Sequence, residues 1–143
     1  MTGSVEDDQN IAEAQNFVGF CYQNGIGFPK DEKKAFDLYQ LAADQKHAEA
    51  QINLGICYEN GIGVPKDEKK AVELYQLAAD QKHAVAQKNL GFCYQYGIGV
   101  PKDEKKAFNL YQIEHSKGVH VDHMIALGFA CSLLLFVAAA ARS

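Results

Sequence analysis

The sequence predicts an all-α fold, a right-handed α-α superhelix (solenoid) of three helix-pair repeats followed by an apolar C-terminal helix. Three observations carry this. The first is a period of 36: Cys21, Cys57 and Cys93 are each 36 positions apart, as are Tyr39, Tyr75 and Tyr111. The segment Asp31 to Ala48 returns at Asp67 to Ala84 with only Phe36/Val72 and Asp37/Glu73 changed. A fixed period in this range marks one supersecondary unit stacked on copies of itself. The second is helical spacing of apolar residues on two stretches of each unit. The third is a glycine-containing loop and a proline between them, at Pro29, Pro65 and Pro101.

Taken in order, residues 1–10 (MTGSVEDDQN) read as a polar N-terminal tail. They have neither a basic n-region nor an apolar h-region, so they do not resemble a secretory signal. The repeats occupy residues 11–118, as units of about 12–47, 48–83 and 84–118. In the middle unit Ala50, Leu54, Cys57 and Tyr58 fall at i, i+4, i+7 and i+8, one face of a helix. The same face is Ala14, Val18, Cys21 and Tyr22 in the first copy and Ala86, Leu90, Cys93 and Tyr94 in the third. Gly55 lies inside this helix, with Gly19 and Gly91 as its copies. A mid-helix glycine costs about 1 kcal/mol relative to alanine, so a neighbouring helix is expected to approach too closely for a side chain. Gly61 is placed for a left-handed C-terminal position, and Gly63 completes a tight loop. Gly25, Gly27, Gly97 and Gly99 are their equivalents. Val64 before Pro65 reads as extended. Asp31, Asp67 and Asp103 are expected to N-cap the second helices. The second apolar face is Ala71, Leu74, Tyr75, Ala78 and Ala79, whose small residues allow close packing.

Composition excludes several functions. The net charge is −4, and the lysine clusters at Lys30, Lys33 and Lys34 and their copies each contain an Asp-Glu pair. A basic nucleic-acid footprint is therefore not expected. Cysteines once per repeat sit about 10 Å apart in a stack, too far to bridge, so free thiols in a reducing compartment are expected. No short-spaced ligand pairs or nucleophile–base pair are present, so no catalytic residue, metal or cofactor is expected. His115, His120 and His123 read as a polar linker.

The pattern Ala50, Leu54, Gly55, Tyr58, Gly61, Gly63, Val64, Asp67, Lys70, Ala71, Leu74, Tyr75, Ala78, Ala79 resembles the Sel-1-like repeat, a cousin of the tetratricopeptide repeat. The third copy matches through Tyr111 and then departs, with Glu114-His115 in place of the paired alanines, so its second helix is expected to end early. The first departs only at Val18 and Phe28. The resemblance implies a non-catalytic adaptor or scaffold that assembles other proteins, in signalling or complex assembly. A cysteine-rich branch of the family is associated with β-lactam binding or hydrolysis and carries paired cysteines. The second helices here carry none, so that activity is not carried over.

Phe20, Ile56 and Phe92 lie two residues beyond Val18, Leu54 and Leu90, about 200° around the helix. They form either inter-repeat packing or an apolar stripe on the concave side. In the second case Phe20, Gln23, Asn53, Ile56, Glu59, Asn89, Phe92 and Gln95 make a docking groove for a protein partner, with Asn16 beside them. Finally, residues 119–143 include an uncharged run from Met124 to Ala141, as long as a short membrane-spanning helix of about 18 residues. It reads either as a membrane anchor or as a degenerate fourth repeat, since His120, Leu127, Gly128 and Phe129 echo His83, Leu90, Gly91 and Phe92. The expected location is cytoplasmic, with a tail anchor as the alternative.

Overall fold

The structure, a computed structural model, describes residues 5–115. Six helices follow one another with no strand among the described residues: α1 (Val5–Asn24), α2 (Glu32–Asp44), α3 (Ala48–Asn60), α4 (Glu68–Asp80), α5 (Ala84–Tyr96) and α6 (Glu104–His115). They form three antiparallel pairs, α1 with α2, α3 with α4 and α5 with α6. Successive pairs stack through α2 on α3 and α4 on α5, which makes the right-handed solenoid. None of these helices is long and apolar enough to cross a membrane. The expected C-terminal helix in 119–143, with its membrane run 124–141, lies outside the described residues.

Local chemistry sets the helix boundaries. Asp31, Asp67 and Asp103 each accept a hydrogen bond from the backbone N–H three residues on, at 3.1, 3.1 and 3.0 Å. Such caps contribute about 1 kcal/mol each. Gly61 and Gly97 end α3 and α5 in the left-handed region, at φ 72° and 68°. A tighter end was not legible in the sequence: Lys46 and Lys82, both at φ 64°, turn the chain after α2 and α4. Their backbone N–H groups reach back to Ala43 and Ala79.

Helix α1 begins at Val5, so most of the segment expected to be a polar tail is helical. Glu6, Asp7 and Asp8 occupy its first turn, where negative charge suits the helix dipole. The core runs along the seam between paired helices. Tyr39 and Tyr75 are fully buried, together with Leu54, Leu90, Cys57 and Cys93. Each tyrosine ring lies flat against the glycine of its partner helix: a Cβ at Gly55 would stand 2.7 Å from Tyr75 Cε1, and one at Gly19 2.8 Å from Tyr39 Cε1. The close approach expected of Gly19, Gly55 and Gly91 is therefore made to an aromatic ring. Ala14 is the exception on the expected apolar faces. It is exposed while Ala50 and Ala86 are fully buried, because no described helix lies before α1 to cover it.

Cys21, Cys57 and Cys93 are free and buried. Burial, with the Glu32 carboxylate acting in the same direction, pushes Cys57 up to about 12. Burial, with Glu59 and Glu68, does the same for Cys93. The thiolate is the reactive form, so these thiols are inert. Iodoacetamide at pH 8 is expected to leave Cys57 and Cys93 unmodified in the folded protein and to alkylate both in 6 M guanidinium. Peptide mass mapping checks this, and modification under native conditions would contradict the buried positions.

Candidate functional site

The first helices build one wall of the solenoid, and a groove of about 510 Å³ runs along it. From α1 it takes Glu13, Asn16, Phe17 and Phe20; from α3, Glu49, Ile52 and Asn53; from the start of α5, Val85, with His83 at its N-cap. Three apolar side chains stand open to solvent in it: Phe17 at 64%, Phe20 at 47% and Val85 at 44% exposure. Ile52 forms the buried floor, reaching into the core beneath α5. Asn53 Nδ2 donates to Asn16 Oδ1 at 2.9 Å, tying α3 to α1 across the groove. The His83 imidazole stands 4.0 Å from the Glu49 carboxylate.

The residues expected to form the docking stripe are not gathered in one place. Phe20 and Asn53 line the groove, with Asn16 beside them. Ile56 is half-buried and packs on the core beneath α5. Phe92 is exposed but leans on Tyr96, ring centroids 4.6 Å apart, outside the groove lining. Asn89 is half-buried and also outside the lining. Gln23, Glu59 and Gln95 serve the interior: they accept hydrogen bonds from the buried tyrosine hydroxyls of Tyr39, Tyr75 and Tyr111 at 2.6, 2.7 and 2.8 Å. A buried phenol needs such an acceptor. Burial, with the Glu59 carboxylate as acceptor, raises the Tyr75 phenol far above its ordinary range.

Sequence reasoning missed Glu13, Phe17, Glu49, Ile52, His83 and Val85. The signal was in the differences between copies. Along the first helix the three copies read Glu13/Glu49/Val85, Asn16/Ile52/Lys88, Phe17/Asn53/Asn89 and Phe20/Ile56/Phe92 at four positions on this wall. Ala14/Ala50/Ala86, Gly19/Gly55/Gly91 and Cys21/Cys57/Cys93 do not change, whereas Val18/Leu54/Leu90 and Gln23/Glu59/Gln95 do. Divergence in the first helix thus includes the groove wall, while the glycine under each tyrosine ring is kept in all three copies. The lysine clusters are not wholly solvated either. Lys34, Lys70 and Lys106 lie over the rings of Tyr22, Tyr58 and Tyr94 at 5.4, 5.6 and 4.7 Å, covering the outer edge of each pair.

Among the described residues no group of side chains is placed to hold a metal ion. Comparison with known proteins points one way. The family model described as "Sel1 repeat" matches residues 12–47, 48–83 and 84–113. The crystal structure of a Sel1 repeat protein from Oxalobacter formigenes is 39% identical, with a TM-score of 0.70 over 77% of this chain and 44% of its own. A protective antigen of uropathogenic Escherichia coli strains, displaying an SLR fold, is 34% identical with a TM-score of 0.75, over 85% of this chain and 26% of its own. Cysteine rich protein B of Helicobacter pylori, 22% identical with a TM-score of 0.62 over 93% of this chain and 99% of its own, shares the fold. The chain thus spans less than half the length of the first two structures. No match was found among curated proteins. Proteins built of these repeats are generally interaction scaffolds and typically non-catalytic.

Proposed function

The chain belongs to the Sel1 repeat family, and from that premise we propose that it is a non-catalytic adaptor that docks a protein segment in the groove formed by α1, α3 and the start of α5. The observation that carries this reading is the distribution of variation among the copies. Ala14, Gly19 and Cys21 recur in all three copies, whereas Phe17, Phe20 and Val85 stand in a groove at positions where the copies differ. Solvent-facing aromatics gathered with other apolar side chains are expected at a docking site. The groove lies on the wall built by the first helices, and its lining comes from helices and a helix cap rather than from a long loop.

The test uses the full chain as bait against the wild type's own interactors, with Phe17→Ser and Phe20→Ser combined. Both side chains are largely exposed, so the double variant is expected to melt within about 3 °C of the parent, surface substitutions being worth within about 0.5 kcal/mol each. It is expected to lose the proteins that the parent retains. An unchanged set of retained proteins would reject the groove.

A further inference from the structure

We infer that the groove takes an extended, cationic peptide segment with an aromatic or aliphatic anchor, an assignment that rests on the docking role proposed above. Three features of the lining argue for it. The first is charge. Glu13 and Glu49 are its carboxylates, and it contains no lysine or arginine. Glu6, Asp7 and Asp8 add negative charge from the first turn of α1. Lys88 holds the corresponding place on α5 beyond the lining and marks the end of the acidic stretch. A lysine or arginine of the segment is thereby attracted to the α1–α3 end.

The second is the apolar surface. Phe17, Phe20 and Val85 surround a recess floored by Ile52, so one large apolar side chain can leave water there. The third is the asparagine pair. Asn53 Nδ2 spends one hydrogen on Asn16 Oδ1, which leaves the Asn16 amide N–H groups and the Asn53 carbonyl oxygen for a ligand. A donor and an acceptor on two residues of the lining are what the C=O and N–H of a peptide group require. A helical ligand has already used those groups within itself, whereas an extended segment has not.

Random nonapeptides displayed on phage are selected on the immobilised full chain, and the enriched peptide is labelled with fluorescein for anisotropy titration. The expected enrichment is lysine or arginine within three residues of Phe, Tyr, Leu or Ile. Affinity is expected to fall at least tenfold with Glu13→Lys and Glu49→Lys combined, and at least fivefold between 50 and 500 mM NaCl. N-methylation of a backbone amide beside the anchor is expected to weaken binding about tenfold. Selection of acidic or uncharged peptides that Phe17→Ser abolishes would overturn the cationic assignment and leave the docking groove standing. Binding untouched by Phe17→Ser and by both charge reversals would overturn the two together. Failure to enrich any peptide beyond a parallel selection on Phe17→Ser overturns the peptide assignment. So does a concentration-dependent dimer in sedimentation that Phe17→Ser dissociates, which would make the occupant a second copy of the chain.

Discussion

Gly63→Ala is expected to lose about 3 kcal/mol of stability, and Gly27→Ala, the equivalent change one repeat earlier, only about 1 kcal/mol. Both glycines turn in the left-handed region, at φ 71° and 76°, where a Cβ costs about 1–2 kcal/mol. Their surroundings differ. A Cβ at Gly63 runs into the backbone carbonyl of Glu32, in the first turn of the preceding repeat's second helix. Gly99 meets the carbonyl of Glu68 in the same way, and Gly27 has nothing within 4 Å. Backbone cannot rotate out of the way, so the variant must slide repeat two off repeat one, at an overpacking cost of about 1–3 kcal/mol. Urea denaturation of the two variants side by side measures this. Equal losses would show that the glycine serves the turn alone, and a larger loss at Gly63 isolates the stacking contribution. Gly99→Ala should resemble Gly63→Ala, since its neighbour is the same atom one repeat on.

This contrast also shows what the sequence could and could not reveal. Gly27, Gly63 and Gly99 look alike in the chain, and their need for positive φ is readable from the loop they occupy. Their second constraint, contact with the neighbouring repeat, depends on how far one pair is displaced from the next, which no single repeat encodes. The same limit governed the site. Helical spacing placed Ala50, Leu54 and Cys57 on a buried face, and all three are buried. It could not distinguish Gln23, Glu59 and Gln95, bonded inward to tyrosine hydroxyls, from residues facing a partner. Those residues lie on the same first helix as the tyrosine's glycine, one turn on, and only the height of the ring against that glycine brings the hydroxyl to them. Phe17 carries no repeat signal, because a repeat pattern marks what recurs and its copies are Asn53 and Asn89. Lys46 and Lys82 at positive φ were hidden for another reason. Lysine carries no turn signal, and the short connection between pairs forces the conformation on it.

Tyr75→Ala is expected to cost about 3–5 kcal/mol, since it removes the largest fully buried side chain of the central repeat and leaves a cavity between α3 and α4. Because each repeat leans only on its neighbours, losing the middle pair also uncouples the outer two. The transition is then expected to broaden as well as to shift downward. Gly55 gives this prediction a sharper form. In the parent, Gly55→Ala forces a methyl to 2.7 Å from Tyr75 Cε1 and 3.0 Å from Cδ1, which outweighs the helix propensity that alanine gains. The net expectation is a loss of about 1–2 kcal/mol. Once Tyr75→Ala has removed the ring, the same methyl keeps the Ala71 carbonyl oxygen at 3.3 Å as its close neighbour and fills part of the cavity. Gly55→Ala should then stabilise by about 1 kcal/mol, so the effect of one substitution changes sign with the other. A double-mutant cycle by chemical denaturation reads this as a coupling of about 2–3 kcal/mol. Additive losses would mean that the glycine is retained for some property of α3 alone. A reversal of sign would establish that the glycine and the tyrosine are two halves of one packing element, repeated at Gly19 with Tyr39 and at Gly91 with Tyr111.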